Sequence, residues 1–582
     1  MNNDNYDFEK SSIPQDLDSY TPFIDKQSNS YINDQNSGVY SATQSLISFD
    51  LSSLYNSSRW TNTNDMYLTI PITMVFATST GTPQVVGTPP AAGWALQSLK
   101  SGYHNLIHQA DLQIDGKTIS ETQPFLGTFT NIKLLSELSQ NDLKSIGTLI
   151  GYSDVLDTPG STVWNGNSPS KNGNGLCNNT AFGTTTQSSL TGAAGTLGYA
   201  TAGAQNVKVV NEAINKRVLK VVDTSNPGLN KIQGTIVSPS QLARDFKSTY
   251  QVSNNRGIIY DLAIIRLKDI FDCMNNIGLV KRFNGTLRLY VNTGSLYATC
   301  LGQATDDFPT YSFSVANSTF SNACPFTIND LAAGADAGGI VAGQSQISAG
   351  LFIGKILPTN LNGVNLADVA GASHSMQACR LYYSSIIMEP ERALTYSRAN
   401  QAKNVVFRNY YFNQINALGN DGNYSQLIQS GITNPYALIV VPYISSIVTG
   451  MSGYQWQSPF DTCPATFSPC ILENLQVQVG GQQVLQSAYY FGFEDFISQF
   501  SNCEALTSND FGVSTGVVSK EWWEANRIYY INLSRSTKAD QITPRNIVLS
   551  FKNASLVPID VQVFTVYLDR ITLNVDTGAV TR

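Results

Sequence analysis

Apolar residues along this chain alternate with polar ones over short runs, and one such run occurs twice. Residues 106–135 read LIHQADLQIDGKTISETQPFLGTFTNIKLL and residues 471–500 read ILENLQVQVGGQQVLQSAYYFGFEDFISQF. At a constant offset of 365, without a gap, Leu106 meets Ile471, Leu112 meets Val477 and Ile114 meets Val479. Gly116 meets Gly481, Ile119 meets Val484, Gly127 meets Gly492, Ile132 meets Ile497 and Leu135 meets Phe500. The alternation at 112 and 114, and at 477 and 479, predicts half-buried strands, because successive side chains of a strand point to opposite faces. Asp115-Gly116 and Gly480-Gly481 then supply the positive-φ residues of a tight turn into a second short strand. Phe493, Phe496, Ile497 and Phe500 fall at i, i+3, i+4 and i+7, the spacing of one helix face. The same strand–turn–strand–helix order in both halves implies one domain duplicated and diverged.

The repeat reaches further along the chain. MYLTIPITMVF (66–76) and YALIVVPYISSIV (436–448) are apolar strands with one proline each, at an offset of about 365–371. GIIYDLAII (257–265) resembles NRIYYINLS (526–534), and KRFNGTLRLYVN (281–292) matches PRNIVLSFKN (544–553). Between them in the first half, Leu267, Ile270, Phe271, Met274 and Ile277 predict an amphipathic helix. Gly116 to Tyr260 spans 144 residues and Gly481 to Tyr530 only 49, so the first half carries 95 more. Most of that excess is the Gly/Ser/Thr/Asn-rich tract 153–206, and a second biased stretch covers 302–350. Such composition belongs to surface excursions. Trp164, Phe182 and Leu190 favour an ordered loop tower over a disordered insert.

A strand and Pro turn at 378–397 close the first unit, KNVVFRNYYFNQI (403–415) opens the second, and alternating strands at 556–576 end it. The expected organisation is a flexible arm over 1–40, a first unit over 41–395 with insertions at about 153–250 and 302–376, and a second unit over 396–582. Short strands with Gly/Pro/Asn turns and few helices predict an all-β fold of two tandem eight-stranded antiparallel jelly rolls, each of about 180 core residues.

Composition narrows the function. Of 582 residues 42% are hydrophobic but only 13% charged, which leaves surfaces rich in hydroxyl and amide groups. Uncharged polar surfaces lose water at lower cost than charged ones, which suits a protein that tiles against copies of itself. The net charge of −7 and the lack of any basic run argue against direct nucleic-acid binding. No signal peptide is visible, and the best apolar stretch, ALIVVPYISSIVTGM, is too short for a membrane span and broken by Pro442. Eight cysteines show no zinc spacing, so reduced thiols are expected; Cys463–Cys470 is the best disulfide pair.

Tests for chemistry fail. GVSTG (512–516) has the G-x-S-x-G form, but an elbow hydrolase needs a histidine after the serine, and His104, His108 and His374 all precede Ser514. His104 and His108 have helical ligand spacing but lead into a strand, where i and i+4 are too far apart for a metal. Glu494-Asp495, and Glu389 with Glu391, read as solvated charges rather than a glycosidase pair. No catalytic, cofactor-binding or metal residue is assigned, no cofactor is expected, and the chain reads as no enzyme.

Two tandem jelly rolls, a turn motif before a helix in each, and a long first-half insertion together resemble the double-jelly-roll major capsid proteins. Length and insertion pattern are most similar to those of virophages and polinton-like viruses. The carriers are LQIDGKTI (112–119), LQVQVGGQQVL (475–485), LKDIFDCMNNIGLVKRFNGTLRLYVN (267–292) and PRNIVLSFKNASLVPIDVQVF (544–564). The resemblance implies a homotrimer of six jelly rolls, a pseudo-hexagonal capsomer that tiles an icosahedral shell in the virion after assembly inside the host cell. Its partners would be copies of itself, penton proteins and minor capsid proteins; contact with a membrane stays open. The other readings are a receptor-binding or tail-spike β-protein and a carbohydrate-active β-sandwich enzyme.

Overall fold

The computed structural model describes residues 24–78, 95–152, 256–300, 378–445, 470–501 and 543–582, apart from a few positions within these spans. It also describes short pieces within 231–236, 250–253, 311–314, 324–330, 346–354, 360–365, 518–523 and 527–534. The tract 153–206 with its Trp164, Phe182 and Leu190, the GVSTG loop, His374 and Cys463 lie outside the described residues.

Eight strands of the first unit have counterparts in the second: β1 (Ile24–Asn33), β2 (Leu46–Asp50), β3 (Trp60–Thr78), β4 (Ile107–Ile114), β5 (Lys117–Ser120), β6 (Arg256–Arg266), β7 (Gly285–Val291) and β8 (Arg380–Met388). Eight more build the second: β9 (Lys403–Leu418), β10 (Asn423–Ile432), β11 (Pro435–Ile444), β12 (Leu472–Val479), β13 (Gln482–Gln486), β14 (Tyr529–Asn532), β15 (Arg545–Asn553) and β16 (Ile559–Leu573). In the first unit β1-β8-β3-β6 form one antiparallel sheet and β2-β7-β4-β5 the other. In the second, the orders are β9-β16-β11-β14 and β10-β15-β12-β13. Adding eight to each strand number of the first unit reproduces the second, so the chain is a double jelly roll.

The repeated segments are β4–β5 and β12–β13. Their turns hold Asp115 and Gly116 at φ 50° and 71°, and Gly480 and Gly481 at φ 59° and 81°, which matches the left-handed pair of a two-residue hairpin. Helices follow at the expected places, α1 (Leu126–Glu137) and, in the second unit, α5 (Phe493–Ser501). The prolines also have positional reasons. Pro71 lies where β3 changes partner, from β8 up to Thr69 to the strand Gln346–Ile353 from Ile72 onward, so no ladder bond is lost. Pro442 lies past the end of the β11–β14 pairing, which stops at Val440.

Three expectations need correction. Part of the arm over 1–40 is ordered: Ile24–Asn33 is β1, paired with β8 from end to end. Its sequence IDKQSNSYIN is nearly all polar because an edge strand needs little apolar surface, and that hides the strand pattern. Within the 302–376 insertion, Gln346–Ile353 joins β3 in the main sheet and sends Ala349, Leu351 and Ile353 into the core. Finally, the helix predicted over 267–277 is two helices, α2 (Leu267–Ile270) and α3 (Asp272–Ile277). Phe271 between them is extended, at φ −117° and ψ 108°, and all five predicted apolar residues are buried. No helix among the described residues is long and apolar enough to cross a membrane.

Candidate functional site, the seam between the jelly rolls

The two units are joined by α4 (Pro390–Ala399), whose first turn is capped by Glu389 accepting from the Arg392 N–H at 3.0 Å. Tyr396 of α4 packs edge-on against Trp60 of β3 with ring centroids 5.5 Å apart. Beyond this helix the chain enters β9, and the first half of β9 is embedded in the first unit.

Arg408 on β9 is buried with an ionic network. Its Nη2 lies 2.5 Å from Asp272 Oδ1 and 3.0 Å from Glu137 Oε1, and its Nε donates to Asp272 Oδ2 at 2.9 Å. Lys133 Nζ adds a contact to Asp272 at 3.2 Å and donates to the Lys268 carbonyl at 2.9 Å. Two cations thus face two carboxylates, which is what lets these charges leave water. Burial alone would raise the Asp272 carboxyl, but Arg408 and Lys133 outweigh it and hold the group well below the usual carboxylate range. The same two acids keep Arg408 firmly protonated against its own burial.

Side chains of the first unit also occupy the edge of β9. Asp272 accepts the Arg408 backbone N–H at 3.0 Å, and Gln123 Oε1 accepts that of Phe412 at 3.3 Å. Asn409 donates to the Ile119 carbonyl at 3.0 Å. Rings complete the joint: Phe129 of α1 stacks on Tyr410 at 4.3 Å, and Phe125 meets Phe412 at 4.8 Å. Phe125 and Phe129 therefore belong to the core of the second roll, whereas Val405, Phe407, Ile571, Leu573 and Val580 belong to that of the first. Each core contains residues of the other unit.

The C-terminal segment ties the same seam. The Val580 N–H donates to Asp115 Oδ2 at 3.1 Å, Arg582 Nη1 to the Thr118 carbonyl at 3.0 Å, and the Lys281 N–H to the Val575 carbonyl at 2.8 Å. Gly578 (φ +73°) is required there, since a Cβ would stand 1.7 Å from the Arg282 carbonyl oxygen. The seam encloses a cavity of about 20 Å³ bordered by Lys133, Asp272, Arg408 and Tyr410. That is room for about one water and none for a substrate.

The residues tested for chemistry are dispersed. His104 lies in the one-turn helix Tyr103–Leu106, with Nε2 2.5 Å from Asn131 Oδ1 of α1; burial lowers its pKa to about 4. His108 is in β4, with its ring 6.3 Å from that of Tyr290. Glu494 lies on α5 with its side chain 79% exposed, 3.5 Å from Lys520, while Asp495 accepts the Gly492 N–H at 3.0 Å. Cys470 is buried, and its proposed partner Cys463 is among the undescribed residues. Among the described residues, no three His, Cys, Asp or Glu side chains gather at metal-binding distance. Sequence reasoning missed the seam network. The signal available was a charge interrupting an apolar pattern in a chain with only 13% charged residues: Lys133 in NIKLL and Arg408 in VVFRNYYF.

No family model matches the chain, and no curated protein sequence does. Among solved structures it is similar to a chain of the Sputnik virophage solved by cryo-EM, at 10% identity over 98% of this chain and 90% of that chain, with a TM-score of 0.48. It is similar to the mavirus major capsid protein at 9% identity over 95% of this chain and 89% of that chain, with a TM-score of 0.41. For the Faustovirus major capsid protein the identity is 11%, the coverage 97% and 93%, and the TM-score 0.37.

Proposed function

We propose that this chain is a viral major capsid protein that forms homotrimeric, pseudo-hexagonal capsomers tiling an icosahedral shell. One observation carries the reading: two jelly rolls of identical strand order lie in one chain, each core completed by residues of the other. A trimer of such chains presents six similar walls, and a sixfold lattice position accepts that better than three single domains. The sparse charge agrees, because surfaces of Ser, Thr, Asn and Gln can be covered by neighbours at low desolvation cost. The protein would then reside in the virion, assemble inside the host cell, and meet penton and minor capsid proteins. With a net charge of −7, another component would face the genome. We take the units to divide between residues 395 and 396, within the joining helix α4.

Sedimentation analysis and electron microscopy of the purified protein test this reading. A stable species of three chain masses, forming hexagonal sheets or shells, is expected. A monomer that cleaves glycans, or a fibre that binds cells, would overturn it in favour of one of the two alternatives.

A further inference from the structure

The repeat that built the chain also indicates how one copy meets the next. Within the chain, the region at the start of α1 seals the edge of β9, the first strand of the second roll. Leu126 turns into its own core, while Phe125 and Phe129 cross the seam. At the offset of 365, Leu126 corresponds to Phe491, Phe125 to Tyr490 and Phe129 to Glu494. Phe491 is likewise buried in its own core, but Tyr490 is 48% exposed and the Glu494 side chain 79% exposed. The strand in the place of β9 is β1, the first of the first roll. Gln123 and Asp272 occupy the edge of β9, yet among the described residues no side chain from outside the sheet bonds to the backbone of β1.

We infer that the Tyr490–Glu494 face of one copy docks on the outer edge of β1 in a second copy, repeating between chains the seam made within each. This rests on the trimeric capsomer reading and names the surface that holds it together. The contact is head-to-tail, with different patches on its two sides, so it closes into a ring once each chain supplies one patch of each kind. Charge favours the match. The exposed carboxylate of Glu494 on the α5 side, which Lys520 and Arg527 also border, and the exposed Lys26 of β1 carry opposite charges. Arg59, in the bend before β3, has its Nη1 3.4 Å from both Ser28 Oγ of β1 and Ser385 Oγ of β8, so it spans these two strands. Where the internal seam buries Phe125 and Phe129, the external face carries Tyr490 and Glu494 at the corresponding positions. That suits chains that fold first and assemble afterwards, since the unassembled surface must stay soluble.

Charge reversal tests it. In the full chain, Glu494→Lys should raise the concentration at which trimers dissociate by at least ~10-fold, as like charges brought together at an interface do. Adding Lys26→Glu should restore the wild-type value. Carbodiimide cross-linking of mixed light and heavy-isotope wild-type protein, which needs no variant, should link α5 of one chain to Lys26 of another. A wild-type trimer that tolerates the reversal and gives no such cross-link overturns this contact and leaves the capsomer reading standing. A wild-type protein that never forms trimers overturns both.

Discussion

Arg408 is the side chain on which most of the seam converges, and its removal has a calculable effect. Arg408→Ala leaves Asp272 and Glu137 buried with only Lys133 beside them, and uncompensated buried charge of that kind costs about 3–5 kcal/mol. Denaturant unfolding should show that loss, whereas a surface change such as Lys520→Ala, in an ion pair exposed on both sides, should cost under about 1 kcal/mol. Because Asp272 has its pKa depressed by folding, its contribution is fully present above the ordinary carboxylate range and is lost only as pH falls beneath it. His104 acts in a different window. Burial holds it neutral down to about pH 4, while the unfolded chain takes up a proton near the ordinary histidine value of 6.5. Between those values the unfolded state binds more protons, so stability falls as pH drops from 6.5 to 4. His104→Gln, which keeps a donor for Asn131, should flatten the stability–pH curve in that range. An unchanged slope would show that His104 is not the group responsible.

Elements differ in how fully the sequence declares them. In the two hairpins both turn positions adopt positive φ, and no atom lies within 4 Å of a Cβ built on Gly116 or Gly481. Alanine there should therefore cost only the left-handed backbone penalty, about 1–2 kcal/mol. Gly285 is the contrasting case. A Cβ on it would stand 2.3 Å from the Gln113 carbonyl oxygen, so Gly285→Ala must push β7 away from β4 and should cost more than either turn variant in thermal unfolding. The hairpins and their helices were legible because alternation and turn residues are local properties. The break at Phe271 was not, since its apolar spacing is continuous, whereas the bonds from Asp272 at the start of α3 to Arg408 of β9 form only in the folded chain. β1 was hidden because an edge strand can be polar throughout. The network of Lys133, Glu137, Asp272 and Arg408 was out of reach for another reason: its members are neighbours only after the second roll has docked, with Asp272 and Arg408 136 residues apart.

At the scale of the whole molecule, the interlocked cores predict that neither jelly roll unfolds alone. Phe129 belongs to the first half of the chain but to the second core, and Ile571 and Leu573 belong to the second half but to the first core. Opening either roll removes apolar cover from the other, so the free energy of opening is shared rather than divided. Trp60 and Trp523 are buried, one in each unit, and give each a reporter. In variants that retain one of these tryptophans and replace the other five by Phe, both signals should change at the same denaturant concentration, as a single cooperative transition requires. Phe129→Ala, which removes a buried ring at a cost of about 3–5 kcal/mol, should move both midpoints together although the ring packs in only one core. Two separated midpoints in the parent, or a shift confined to the Trp523 signal, would show the rolls to be independent domains on a linker. Shared stability also bears on assembly. A chain whose rolls cannot open separately offers neighbours two walls of fixed relative orientation, whereas independent rolls would have to be ordered anew at every contact.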